Sequence, residues 1–307
     1  MHFRFEFAIY MERLAIISTV KAPLNQLQMY INYHLNLGVD EIILFFDDPI
    51  DEGIQFFANH QNVTVVSCSE QYWLQREGTR PRLLPDRQIV NVNEGVKIAI
   101  KKNCSWITHI DCDELIQPLI DAKKILLNCR ADALRFRLLE AVSDQEFYEH
   151  IFMPTLFKKE SSNLQIWAAK ILGLSKLFYQ NKYFRGHKSS KMVIKVSSKI
   201  KKYGIHKPDQ CDPDFIVKEV DELRLLHYYC IGFSNWASKF EERAHQLDFY
   251  SGPQLQDYLQ ARNEGDQQLV ALYRRLYKIS KREQQILFLL GMLEEVVLSQ
   301  DFFNRVC

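Results

Sequence analysis

No two cysteines in the sequence have the C-x-x-C spacing, and the seven present, at 68, 104, 112, 129, 211, 230 and 307, follow no period. An odd number of unpatterned thiols argues for free cysteines in a reducing compartment rather than for a disulfide framework. An excess of one charge is also missing. Lys and Arg number 39 against 38 Asp and Glu, a net charge of +1, so bulk charge draws the chain to neither nucleic acid nor membrane. No apolar run approaches the ~20 residues needed to cross a bilayer. His2 to Tyr10 is aromatic-rich but carries Arg4 and Glu6. It lacks the layout of a secretory leader and reads as an extension outside the core. Internal repeats and low-complexity tracts are absent too.

What is present is a chain of 307 residues, 47% hydrophobic and 25% charged. That suits one large soluble domain, or a domain with an appendage. Leu14 to Val20 is apolar and β-branched, a buried strand. Pro23 fits the first turn of a helix, on which Leu24, Leu27, Ile31 and Leu35 recur at helical spacing and which Gly38 caps. Val39 to Phe46 and Val63 to Cys68 read as strands, with a short helix from Gly53 to His60 between them. Glu70 to Pro85, polar and holding Gly78 and Pro81, reads as a loop. Asp86 caps a helix running to Ile100. A short helix at Ile120–Asn128 and a strand at Asp132–Leu139 follow. A βαβαβ beginning defaults to a parallel sheet with right-handed crossovers. The expected fold class is therefore α/β, Rossmann-like, with a mostly parallel sheet flanked by helices. From Phe233 the pattern is helical to the end, and the apolar run Ile286 to Leu290 is dense enough to be buried. That predicts a helical extension over 236–307 on a domain spanning 11–235.

The chemistry concentrates in Trp106-Ile107-Thr108-His109-Ile110-Asp111-Cys112-Asp113-Glu114. Trp, Ile and Thr favour a buried strand, whereas clustered carboxylates resist burial unless paired or bound to a cation. Asp111 and Asp113, two positions apart, would share one face of a continuing strand, and the switch from apolar residues to acids places the strand's end at Ile110. An oxygen-only pair suits Mg²⁺ or Mn²⁺ better than zinc. Between Asn181 and Pro208 the chain holds Lys182, Arg185, Lys188, Lys191, Lys195, Lys199, Lys201, Lys202 and Lys207 and no acid. This stretch is either a solvated basic face or a surface that meets phosphates.

The order of motifs resembles the glycosyltransferase family 2-like group with the GT-A fold. The resemblance rests on Tyr30 to Asp40, in the form Y-x-x-x-H-x-x-x-G-V-D, on Gln88 and Asn91 ahead of Trp106 to Leu115, on Gly204-Ile205-His206-Lys207-Pro208, and on Leu226-His227-Tyr228 with Ser234, Lys239 and Arg243. It covers Leu14 to Arg243. One departure is Ala22-Pro23, where the family usually has Asn-Glu.

The resemblance implies a metal-dependent, inverting transfer from a nucleotide-sugar, a UDP-sugar first, to a glycan or glycolipid acceptor. The setting it implies is polysaccharide or lipopolysaccharide biosynthesis in the bacterial cytoplasm, at the inner face of the membrane. Asp111, Asp113 and His227 then hold Mn²⁺ or Mg²⁺, with His206 a lesser candidate. Thr19, Lys21, Asp47, Asp48, Gln88, Asp111 and Lys191 meet the donor, and Glu140 or Asp144 supplies the catalytic base. A nucleic-acid partner is not expected. Peripheral membrane association and a homodimer through the C-terminal helices stay open. Two rivals remain at this stage. A metal-dependent nucleotidyl or phosphoryl transferase would need a glycine-rich loop that Lys21-Ala22-Pro23-Leu24 does not provide. The other is a catalytically inactive glycan-binding relative.

Overall fold

The computed structural model describes residues 12–179, 182–186, 189–197, 199–245 and 252–304, so the expectations for His2 to Tyr10 and for Lys188 fall outside it. Leu14–Val20 (β1) is buried along its whole length. Its side chains alternate between two cores, Ile16 and Val20 on one side and Ala15 and Ile17 on the other. A strand covered on both faces needs an uninterrupted apolar run, and this one has it apart from Ser18 and Thr19. Helix Leu24–Asn36 (α1) lays Leu27, Tyr30 and Ile31 on the first core. Glu41–Phe46 (β2), helix Glu52–Phe57 (α2) and Val63–Ser67 (β3) then extend a parallel β1-β2-β3 sheet.

The stretch expected to be a loop contains a helix, Glu70–Glu77 (α3). The Ser69 hydroxyl accepts from the Tyr72 N–H, and Gly78 ends the helix at φ 73°. Helix Leu84–Lys101 (α4) follows with Pro85 in its first turn, so Asp86 lies inside it rather than capping it. Val92, Val96 and Ala99 pack on the second core. Trp106–His109 (β4) joins β1 on its other side, again parallel.

Past β4 the sheet becomes mixed. Glu114–Pro118 (β5), helix Ala122–Leu127 (α5), Ala133–Ala141 (β6), Leu156–Lys158 (β7), helix Asn163–Ala169 (α6) and Met192–Lys195 (β8) follow. β8 runs antiparallel between β4 and β6. Ile200–Tyr203 (β9) and Pro208–Cys211 (β10) form a separate hairpin. Val217–His227 (β11) pairs parallel with β6 and antiparallel with β5. Helices Gly232–Ala244 (α7), Pro253–Glu264 (α8) and Asp266–Leu276 (α9) enclose a third core around Trp236, Tyr258 and Tyr273.

The C-terminal part is not helical throughout. After helix Lys281–Leu289 (α10), Leu293–Glu295 (β12) pairs with β7 and gives the order β12-β7-β6-β8-β4-β1-β2-β3. A 3₁₀ turn, Gln300–Phe303, then rests on α1. Of the apolar run at 286–290, Leu287 is buried, while Phe288 and Leu289 face solvent. The α/β class is as expected. Among the described residues no helix is long and apolar enough to cross a membrane.

Candidate functional site

The carboxyl ends of β1, β2 and β4 open on one cavity of about 820 Å³, the position where open α/β sheets bind ligands. Strand β4 stops at His109, one residue earlier than expected, and a turn carries Asp111 to Asp113 before β5 begins. The turn is tied down on both sides. The Ser18 hydroxyl donates to the Ile110 carbonyl at 2.6 Å, the Asp111 N–H donates to Glu114 Oε2 at 2.9 Å, and the Tyr228 N–H donates to the Asp113 carbonyl at 2.8 Å. Both aspartates line the cavity.

Each meets a lysine from a distant segment. Asp111 Oδ2 lies 3.0 Å from Lys191 Nζ, and its Oδ1 accepts from Gln88 Nε2 at 2.7 Å. Lys191 stands just ahead of β8, whose antiparallel pairing with β4 brings it beside the β4 end. It is 1% exposed. Burial works against its charge, but Asp111 and Glu114 outweigh that and hold its pKa above the ordinary value. Asp113 Oδ2 lies 2.8 Å from Lys239 Nζ on α7. Burial opposes that charge as well, and Asp113 outweighs it, so the pKa is again raised. Lys239 also sits over the Tyr229 ring, 4.7 Å from its centre.

His227 ends β11 and lines the same cavity, its Nε2 4.0 Å from Asp113 Oδ1. Parallel pairing sets His227 beside Glu140, and antiparallel pairing sets it beside Glu114. Among the described residues no three His, Cys, Asp or Glu side chains form a ready-made metal cage. A hard divalent ion at a phosphate-binding site does not need one, because one or two carboxylates and substrate oxygens suffice. Asp113 with His227, and Asp111 in the same cavity, are a donor set that fits such an ion.

The other expected site residues divide by place. Thr19, Lys21, Asp47, Gln88 and His206 line the main cavity. Asp48 lines a neighbouring one of about 510 Å³ that shares Lys21 and Asp47 with it. Asp47 is committed to a two-pronged pair with Arg87, at 2.8 and 2.9 Å, and to Arg80 at 2.9 Å, and Lys21 meets Glu242 at 2.6 Å. Neither carboxylate expected to serve as base is among the lining residues. Glu140 is buried beneath the site, where Lys158 Nζ (3.1 Å) and the backbone N–H groups of Arg185 (2.7 Å) and Gly186 (2.6 Å) saturate it. Asp144 is exposed and accepts from the Tyr148 hydroxyl. In the basic stretch, Lys191 and Arg185 reach the cavity, while Lys199, Lys201 and Lys202 pair with Asp132, Asp212 and Asp209 on and around the hairpin.

Sequence reasoning missed Arg87, Lys239 as partner of Asp113, and Glu149. Glu149 is exposed and lines the cavity. Every other carboxylate in the lining is ion-paired with a lysine or arginine: Asp47, Asp111, Asp113, Glu146 and Glu242. For Glu149 no such pair is found among the described residues.

No family model matches the chain. The chain is similar to a glycosyltransferase-like protein of Arabidopsis thaliana, 22% identical over 260 residues that cover 74% of this chain and 56% of that protein. It therefore spans little more than half the length of that relative. Among solved structures it is similar to TarS 1–349 of S. aureus, with 11% identity, 91% of this chain and 78% of that one covered, and a TM-score of 0.36. It is also similar to HddC of Yersinia pseudotuberculosis, with 14% identity, 76% and 99% covered, and a TM-score of 0.34. Likenesses this distant leave the fold to be read from its own topology.

Proposed function

We propose that the chain is a glycosyltransferase that moves a sugar from a nucleotide-sugar to a glycan or glycolipid acceptor, with residues 11–235 as its GT-A-type core. One observation carries the reading. The Asp111–Asp113 turn, His227, Lys191 and Lys239 come from separate segments and meet in one cavity at the carboxyl ends of the parallel strands. The similarity to a glycosyltransferase-like protein supports it.

In this reading the nucleoside lies toward Thr19, Lys21 and the second cavity, where Asp48 stands. Asp47, already held by two arginines, shapes that wall. Asp113 and His227, with Asp111, would hold Mn²⁺ or Mg²⁺, which would supply positive charge beside a leaving diphosphate. Lys191 and Lys239 add fixed positive charge beside the same leaving group. The acceptor oxygen bonds to the anomeric carbon while the bond from that carbon to the diphosphate breaks, and the hydroxyl proton passes to a carboxylate. We assign that proton to Glu149, which lines the cavity and has no ion-pair partner among the described residues. Glu140 positions the Arg185–Gly186 backbone next to His227, and Asp144 has no part.

Thermal unfolding with UDP-, GDP- and CMP-sugars, each with and without Mn²⁺, tests this. One nucleotide-sugar is expected to raise the midpoint by a few degrees, more with Mn²⁺, and Asp113→Asn is expected to remove the Mn²⁺ increment. Stabilisation by free nucleoside triphosphates alone would point instead to a nucleotidyl transferase, and no stabilisation to a glycan-binding relative.

A further inference from the structure

Helix α6 and the turn after it carry an apolar face left exposed among the described residues. Leu164 is 72% exposed, Trp167 61% and Ile171 63%, and Leu172 is exposed beside them. Their spacing of three and four keeps Leu164, Trp167 and Ile171 along one side of the helix, while Ala169, Leu174 and Leu177 are buried in the core. Helix α10 lies alongside, tied at both ends. Gln165 Nε2 donates to the Leu290 carbonyl at 2.8 Å, and Lys176 Nζ meets Glu283 at 2.8 Å. That helix adds the exposed pair Phe288 and Leu289. Apolar groups grouped on this scale mark an interaction surface rather than ordinary scatter.

The charges around the face select its partner. From Ser161 to Tyr179 there is no Asp or Glu, while Lys170 and Lys176 are present, and Lys281 and Arg282 are exposed at the start of α10. Glu283, the one acid in that helix, is already paired with Lys176. A Trp and aliphatic residues on one helix face, bordered by lysines with few free acids, is the composition of a segment that lies in a lipid interface. The face also adjoins the cavity rim, because Arg185, which lines the cavity, donates from its Nη2 to the Lys176 carbonyl at 3.1 Å.

We propose that α6, its following turn and the end of α10 form a docking surface for an anionic lipid membrane, seated by Trp167, Leu164, Ile171 and Leu289. The proposal stands apart from the reaction assigned above. Trp73, Trp106 and Trp236 are buried, so Trp167 is the tryptophan that acyl chains can reach.

The full chain should be sedimented with vesicles of phosphatidylcholine alone and of phosphatidylcholine mixed with phosphatidylglycerol. Its fluorescence should then be read with brominated acyl chains. Expected are binding to the mixed vesicles, weakening as salt rises, and quenching of the Trp167 emission. The double variant Leu164→Ser, Trp167→Ser should lower partitioning by about tenfold or more, with the midpoint of unfolding unchanged because both sites are exposed. Trp167→Phe should keep most of the binding. Absence of binding to the mixed vesicles, or binding that the double variant leaves intact, overturns the proposal. So does a wild-type dimer in sedimentation velocity that the double variant turns into monomer without any vesicle binding, since the face would then belong to a second copy.

Discussion

A methyl group placed on Gly186 would lie 2.7 Å from His227 Cε1 and 3.3 Å from Glu140 Oε2. The backbone there is fixed from below by Glu140, so the imidazole has to give way. Gly186→Ala should therefore keep the fold, weaken Mn²⁺ binding by about tenfold as misplaced ligands do, and reduce turnover in step. Isothermal titration with Mn²⁺ in the presence of the nucleoside diphosphate checks it, and unchanged affinity would separate His227 from the ion. Glu149→Gln should instead leave Mn²⁺ and donor affinity as they are and lower kcat by about 10²–10⁴-fold. A variant that retains full kcat would return the proton to some other group. At this scale the aspartates were legible because an apolar strand running into acids has few explanations. The groups around them were not legible. Lys239 stands 126 positions from Asp113, and Glu149 sits in a loop with no periodicity to mark its direction.

Helix α4 comes down on β1 at Gly95, where an added Cβ would meet Ile17 Cγ2 at 2.7 Å. Ile17 belongs to the second core and is fully buried, so it has little room to move. Gly95→Ala should cost about 1–3 kcal/mol by overpacking, despite alanine's better helix propensity, and urea unfolding measures it. Among the elements legible in the sequence, β1, β2 and β4 are short runs buried at every position, and α1 and α4 bury residues that recur near 3.6. Helix α3 reads as a loop because it buries only Tyr72 and Trp73 and, apart from the exposed Leu74, is otherwise polar. Strand β5 was hidden by starting on Glu114, a carboxylate that is fully buried. Strand β12 holds the acids Glu294 and Glu295, and its place at the sheet edge follows from β7, 137 positions upstream at Phe157.

The molecule as a whole carries a buried histidine that resists protons. His34 is fully enclosed, its Nδ1–H donating to the Tyr30 carbonyl and its Nε2 accepting from the Ile116 N–H. Burial lowers its pKa to about 3, against the Tyr30 bond that works the other way. In the unfolded chain the group titrates near ~6.5. The unfolded state therefore binds protons first on acidification. The stability owed to neutral His34 is complete above ~6.5 and is lost progressively as pH falls toward about 3. The unfolding midpoint should be flat at neutral pH and fall below it, and His34→Gln should flatten that fall. An unchanged slope would assign the acid sensitivity to other groups.

The 3₁₀ turn at Gln300–Phe303 sets a timetable for biosynthesis. Phe302 and Phe303 lean on Tyr33, and Asn32 and Asn36 on α1 grip the carbonyls of Phe303, Phe302 and Asn304. Asn32 meets its partner across 271 residues. At ribosomal elongation rates that interval is roughly 15–55 s. For all of it the outer flank of the first helix is left bare. Until the Gln300–Phe303 turn is made, Tyr33 and the two asparagines on that helix face lack these partners.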